Sequence, residues 1–184
     1  MEVKGTSLTA TKNFIIEKFG QSGYKMVMDK LPQESRAIFE QSILANNWYP
    51  FKDAFVKPTK TICDIFYGGS EQGAREIGKF SAEKSLKGIY RAFARVASVN
   101  FILERTASIF KTYYTPGRMD VVSKNEHQVI FHMLDIDESD ILFEHRICGW
   151  IIGALLICNN REHKVEITKS VTRGDQMTEI VVNL

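Results

Sequence analysis

Long apolar runs, a cysteine framework and an excess of one charge are all missing from this 184-residue sequence. Its 24 basic and 22 acidic side chains are spread along the chain. No basic face of the kind that tracks a phosphate backbone results, so nucleic acid is not an expected partner. Three cysteines, Cys63, Cys148 and Cys158, cannot form an even set of bridges. Two of them stand in an apolar run, where a reduced, buried thiol is the simplest reading. That run, residues 147–158, is shorter than the ~20 residues a bilayer-spanning helix needs. No basic stretch followed by an apolar one opens the chain, so a secretory signal is not expected and the reading is of a cytoplasmic protein. Repeats and low-complexity linkers are absent too. The length fits one domain, 1–184, with room for a substantial core.

What is present divides by its period. Residues 1–115 read as a helical half. Phe14, Ile15 and Phe19 place a helix over 8–19 that Gly20 ends, and a short second one over 24–31 closes at Pro32. Helices are predicted over 33–44 and 51–67, with Pro50 biasing Tyr49 away from helical angles between them. Two more follow over 71–96 and 100–114. From residue 116 the period becomes two. Residues 119–122 and 127–134 read as a hairpin, 141–159 as a helix, and the stretches through Val165, Ile167 and Val171 and through Ile180, Val182 and Leu184 as a second hairpin. The expected fold class is α+β: a helical half on a four-stranded, largely antiparallel sheet, with one buried helix between its two hairpins. That helix is apolar all round over 148–157 and must be covered on several sides. Gly149 and Gly153, four apart, suit close packing against a neighbour.

Residues with reactive side chains form no catalytic pattern. His127 and His132 lie five apart on one strand and face opposite ways. His145 and His163 have no partner at the i, i+4 spacing of a helical zinc site. Asp135, Asp137 and Asp140 suggest a calcium loop, but its sixth and twelfth positions hold Asp140 and Arg146 instead of Gly and Glu. The acidic group reads better as a helix N-terminus, with Ser139 or Asp140 as its cap. Phosphate-binding glycine loops and nucleophile elbows are absent. Lys60, one turn before Cys63, would lower that thiol's pKa slightly, yet no base is placed beside it. No catalytic residue and no enzyme activity are therefore expected. The aromatic set is richer, and most of it is core by the general habit of aromatic stripes.

Gly149-Trp150-Ile151-Ile152-Gly153-Ala154-Leu155, Val165-Glu166 and the Gly174-Asp175 turn resemble the 4-vinyl reductase domain family. Trp48-Tyr49-Pro50, residues 74–83 and Gly88-Ile89-Tyr90-Arg91 look like a related, uncharacterised bacterial family with many paralogues. The wider group includes haem–nitric-oxide-binding domains and subunits of the Golgi transport tethering complex. The resemblance covers nearly the whole chain. It implies an α+β fold enclosing a ligand site. Two departures count against cofactors. Where 4-vinyl reductase domains commonly carry cysteines, this chain has Ser170 and Thr178, poor zinc ligands. No histidine precedes His127 to serve as the axial ligand of haem-binding relatives. The Tyr114-to-Arg118 stretch keeps their Tyr and Arg spacing but puts Pro116 where they have serine, and without a helical histidine haem would need another residue such as Tyr113 or Cys63. The sequence thus speaks against haem and against zinc.

The reading that follows is a non-enzymatic small-molecule-binding or sensory module in signalling, with an apolar or amphipathic ligand between helices and sheet. Trp48, Phe80, Tyr90, Phe93, Tyr114 and Trp150 would line the site, and Arg118 would anchor an acidic group. The alternative is a homodimeric interaction module, like the tethering-complex subunits, whose pocket is filled by side chains. An enzyme of tetrapyrrole vinyl reduction ranks last for want of a cofactor motif or acid–base pair.

Overall fold

Val3 sits at the centre of a small sheet that joins three distant parts of the chain. The computed structural model describes residues 1–86, 98–159, 161 and 163–184. Strand β1 (Glu2–Lys4) pairs antiparallel with β2 (Trp48–Pro50) on one side and with β3 (Tyr114–Thr115) on the other. Val3 is fully buried between Tyr49 and Tyr114. Strands of two or three residues carry no readable alternation, so the reading of 1–115 as a helical half missed this sheet.

The helices follow the apolar spacing closely. Helix α1 (Gly5–Lys30) contains one non-helical residue, Gly20, with φ 72°. The expected break is therefore a kink inside one helical segment, which glycine tolerates because it has no Cβ to clash. Helix α2 (Gln33–Glu40) is four residues shorter than 33–44. A wide turn over Lys52–Val56, with a five-residue hydrogen bond from the Lys57 N–H to the Lys52 carbonyl, leads into α3 (Lys57–Phe66). Helix α4 (Gln72–Ser85) and helix α5 (Val99–Phe110) flank the undescribed stretch; the Ser98 hydroxyl caps α5 by accepting from the Phe101 N–H.

The main sheet has the order β4-β5-β7-β6, every neighbouring pair antiparallel, built from β4 (Arg118–Lys124), β5 (Gln128–Leu134), β6 (Lys164–Lys169) and β7 (Thr178–Asn183). Val129, Phe131 and Met133 of β5 turn inward on alternate positions, and Phe131 stands opposite Ile180 of β7. The chain leaves β6 through a short 3₁₀ turn over Val171–Arg173, so Val171 lies in that turn and not in the strand.

Helix α6 (Ile141–Asn159) connects the two hairpins and runs through the middle of the molecule. The helix extends beyond the apolar run and is long and apolar enough to cross a membrane by length and composition, but 67% of that window is buried inside the protein. Asp140 caps it, its carboxylate accepting from the Leu142 N–H at 2.8 Å. Helices α4 and α6 cross with their backbones nearly in contact. A Cβ at Gly149 would meet the Arg75 carbonyl, one at Gly78 the Arg146 carbonyl, and one at Gly153 the Ala82 side chain. The small residues at 149 and 153 are thus packing devices, completed by Gly78 on the facing helix.

Candidate functional site

Where α1, α4, α5, β3 and α6 converge, the packing leaves a cavity. It offers about 70 Å³ to a water-sized sphere. Each element contributes by its own period. Helix α4 supplies Gly78, Ser81 and Ser85; α6 supplies Arg146, Ile147 and Trp150; α1 supplies Thr6, Ser7 and Ala10. Helix α5 and the turn after it add Thr106, Ile109, Phe110 and Tyr113, and Tyr114 and Met119 close the remaining side. These residues lie more than a hundred positions apart in sequence. The small sheet brings the N-terminal residues to Tyr114, and the glycine crossing holds Arg146 and Trp150 against α4.

Arg146 is the singular group. Its residue is 3% exposed. One terminal nitrogen donates to Thr59 Oγ1 at 2.8 Å and the other to Thr11 Oγ1 at 3.0 Å. The guanidinium carbon lies 3.8 Å from the Phe55 ring centroid, a cation–π contact. Among the described residues it has no ion pair with a carboxylate. Burial pulls its pKa below the usual arginine value, opposed by Tyr114 and Cys63. Tyr114 shares its surroundings. Its ring meets Phe110 and Phe143 at 4.9 Å each and Phe55 at 5.7 Å between centroids. Burial pushes its phenol up to about 12, while Arg146 and a hydrogen bond with Ser7 pull the other way. The residue is half-buried and borders the cavity.

Of the residues expected at a ligand site, Tyr114 and Trp150 line this cavity. Trp48 lies on β2 with the Lys4 ammonium 3.9 Å over its ring. Phe80 packs edge-on against Phe14 at 5.5 Å, in a separate cleft on the other side of α4. Arg118 is half exposed and paired with Asp120 at 3.3 Å and Asp135 at 3.5 Å. Tyr90 and Phe93 lie outside the described residues. The group that periodicity reading passed over is Arg146. Its signal was present: a basic residue beside Glu144 and His145, directly before the run that is apolar over 147–158.

Glu144, two residues earlier, is fully buried as well. It accepts from Ser170 Oγ at 2.6 Å, Thr178 Oγ1 at 2.6 Å and Ser139 Oγ at 3.3 Å. The two positions that carry cysteines in 4-vinyl reductase domains therefore converge here on one carboxylate. Cys63 belongs to a different cluster, with Ala74 and Leu142. Lys60 pairs with Asp64 instead, and burial raises the Cys63 thiol to about 11, the reverse of the expected lowering.

No family model and no curated relative matches the chain. Comparison with solved structures does find likenesses over the whole length. An H-NOX protein from S. oneidensis in the Fe(II)NO ligation state superposes with a TM-score of 0.73 at 10% identity, covering 97% of each chain. The fold is that of the H-NOX domains. The Fe(II) unliganded H-NOX protein from K. algicida gives 0.70 at 10% identity, over 98% of this chain and 95% of that one. A structure described as probing the function of haem distortion in the H-NOX family gives 0.65 at 13%, over 98% and 93%.

These likenesses overturn the expectation that haem is excluded. It rested on a missing histidine, a local feature, whereas the fold is one in which haem is described. The folded chain also places oxygen and sulfur donors at the cavity wall, in Tyr113, Tyr114 and Met119, of the kinds that occupy axial positions on haem iron. Cys63, the other donor considered, is not among the cavity-lining residues.

Proposed function

We propose that this chain is a non-enzymatic, small-molecule-binding sensory module of the H-NOX fold, with its ligand in the cavity between α1, α4, α5 and α6. One observation carries the reading: a recessed, mainly apolar space with a few hydroxyls and one buried cation, kept open at the junction of the helices and the sheet. A scaffold whose pocket had been closed by side chains would not keep that space. Tyr114, Trp150 and Arg146 are the residues assigned to it.

Haem belongs among the ligands to be tried. Tyr113, Tyr114 or Met119 would hold its iron, and Arg146 would face a carboxylate. When bound, the group would supply an iron centre of the sort that carries nitric oxide in the S. oneidensis protein. A macrocycle is larger than the 70 Å³ now free, so it enters only with the cavity walls parted.

Native and denaturing mass spectrometry of the purified chain tests the proposal, together with hemin titration followed in the Soret region. A co-purifying small molecule released on denaturation, or a saturable hemin spectrum lost in Tyr113→Phe or Tyr114→Phe, is the expected result. A chain that carries nothing, gives no saturable spectrum and shows no ligand-induced rise in melting temperature across a library of small apolar and amphipathic compounds overturns it.

A further inference from the structure

We infer that the ligand of this cavity is a compact apolar acid, a monocarboxylate whose anionic end is taken by Arg146. The inference rests on the reading of the cavity as a ligand site and adds the chemical class. It starts from a charge imbalance. A guanidinium carries five N–H donors and one positive charge. Arg146 uses two donors, both on neutral hydroxyls. Those hydroxyls already donate to their own helices, Thr11 to the Ser7 carbonyl at 2.9 Å and Thr59 to the Phe55 carbonyl at 2.6 Å. They can accept from Arg146, but they cannot neutralise it. Burying a full charge without a counter-charge is costly, and proteins ordinarily pair such a group. Here the counter-charge is left for something else to bring.

The arrangement also holds the guanidinium ready. Thr11 and Thr59 fix its two ends, and the Phe55 ring supports one face. Arginine's planar fork is suited to take a carboxylate through two parallel hydrogen bonds. Ser7 and Tyr114 stand in the same wall and supply hydroxyls to the acid end. Around the rest of the space lie Ala10, Ile109, Ile147 and Trp150, which accept an apolar body. Size limits that body. At 70 Å³ the space is about half the ~150 Å³ of an apolar cavity that holds benzene, which suits a short branched chain and is too little for an aromatic ring or a long acyl tail. One cation calls for one anion, which favours a monocarboxylate over a doubly charged phosphate.

The probes are isobutyrate and isobutanol, nearly equal in shape and different in charge, titrated calorimetrically into the full chain and into Arg146→Met. Isobutyrate is expected to bind about tenfold or more tighter than isobutanol, as loss of a charge-assisted hydrogen bond predicts. Arg146→Met should lose that preference and still take the alcohol. Equal binding of the two probes by the unaltered protein, or an unchanged preference in Arg146→Met, overturns the inference while leaving the cavity as a ligand site. Binding of neither probe overturns the inference as well; the mass-spectrometric and hemin results then decide the broader reading. The comparison in the unaltered protein stands whether or not the variant folds.

Discussion

Glu144 and Arg146 lie two residues apart on one helix and solve the problem of a buried charge in different ways. Glu144 is satisfied from within, by three hydroxyls. Each hydrogen bond to a charged acceptor is worth about 1.5–3 kcal/mol. Ser170→Ala combined with Thr178→Val should therefore cost roughly 3 kcal/mol or more, read as a fall in the urea midpoint; a loss below about 1 kcal/mol would show that the carboxylate does not depend on them. Arg146 should behave in the opposite sense. Methionine has a similar length and no charge to desolvate, and Thr11 and Thr59 keep their backbone bonds without the arginine. Arg146→Met in the ligand-free protein is expected to leave stability unchanged or raise it by about 1–3 kcal/mol, the usual result when a buried ionic group is replaced by an apolar one. A clear fall in midpoint would mean that Arg146 is structural.

At the scale of elements, the crossing of α4 and α6 governs the site, because it sets both walls at once. Gly149 and Gly78 allow the two backbones to touch. Overpacking a core typically costs 1–3 kcal/mol, and here the obstruction is backbone that cannot rotate away. Gly149→Ala should sit at the upper end, about 3 kcal/mol, and should also weaken ligand binding because Arg146 and Trp150 shift with the helix. Thermal melts of the variant against the unaltered protein check the first part; an unchanged melting temperature would contradict the crossing as described. Most elements were legible from period alone. Gly149 and Gly153 announced a close contact, and the hairpins and their connecting helix stand where the alternation placed them. Strands β1, β2 and β3 were not legible, since three residues hold less than two full periods and their pairing depends on partners some fifty and a hundred positions away.

For the whole molecule, burial gives a pH signature. Cys63, Cys148 and Tyr114 are all pushed upward, to about 11, about 12 and about 12, with desolvation the leading cause in each. Their folded pKa values exceed the unfolded ones, so between the two the unfolded chain holds fewer protons and stability falls as pH rises. The contribution is complete below about 9, the ordinary thiol value, and is lost progressively toward 12. Arg146, depressed by burial, works in the opposite direction, but it is one group against three. Denaturant midpoints measured from pH 8 to 11 should decline from about pH 9 onward; a flat profile would place these groups in contact with water. A saturating ligand should add its own stabilisation, about 2.7 kcal/mol at a hundred times its dissociation constant.

Periodicity and turn chemistry act through neighbours within a few residues, so the sequence by itself determined where the helices and the main strands lie, that α6 is buried, and that an α+β architecture results. It also set the donor inventory, with no histidine before residue 127. The tertiary structure decided what that inventory means. Which side chains face one cavity depends on contacts between segments far apart, and no local pattern records them. Arg146 stood out in sequence only as the wrong residue for a calcium loop until Thr11, Thr59 and Phe55 were brought around it. Ser170 and Thr178 looked like lost metal ligands until both closed on Glu144. Haem was set aside on local departures, the missing histidine and Pro116, whereas the fold, formed by packing along the whole chain, is one in which haem is described.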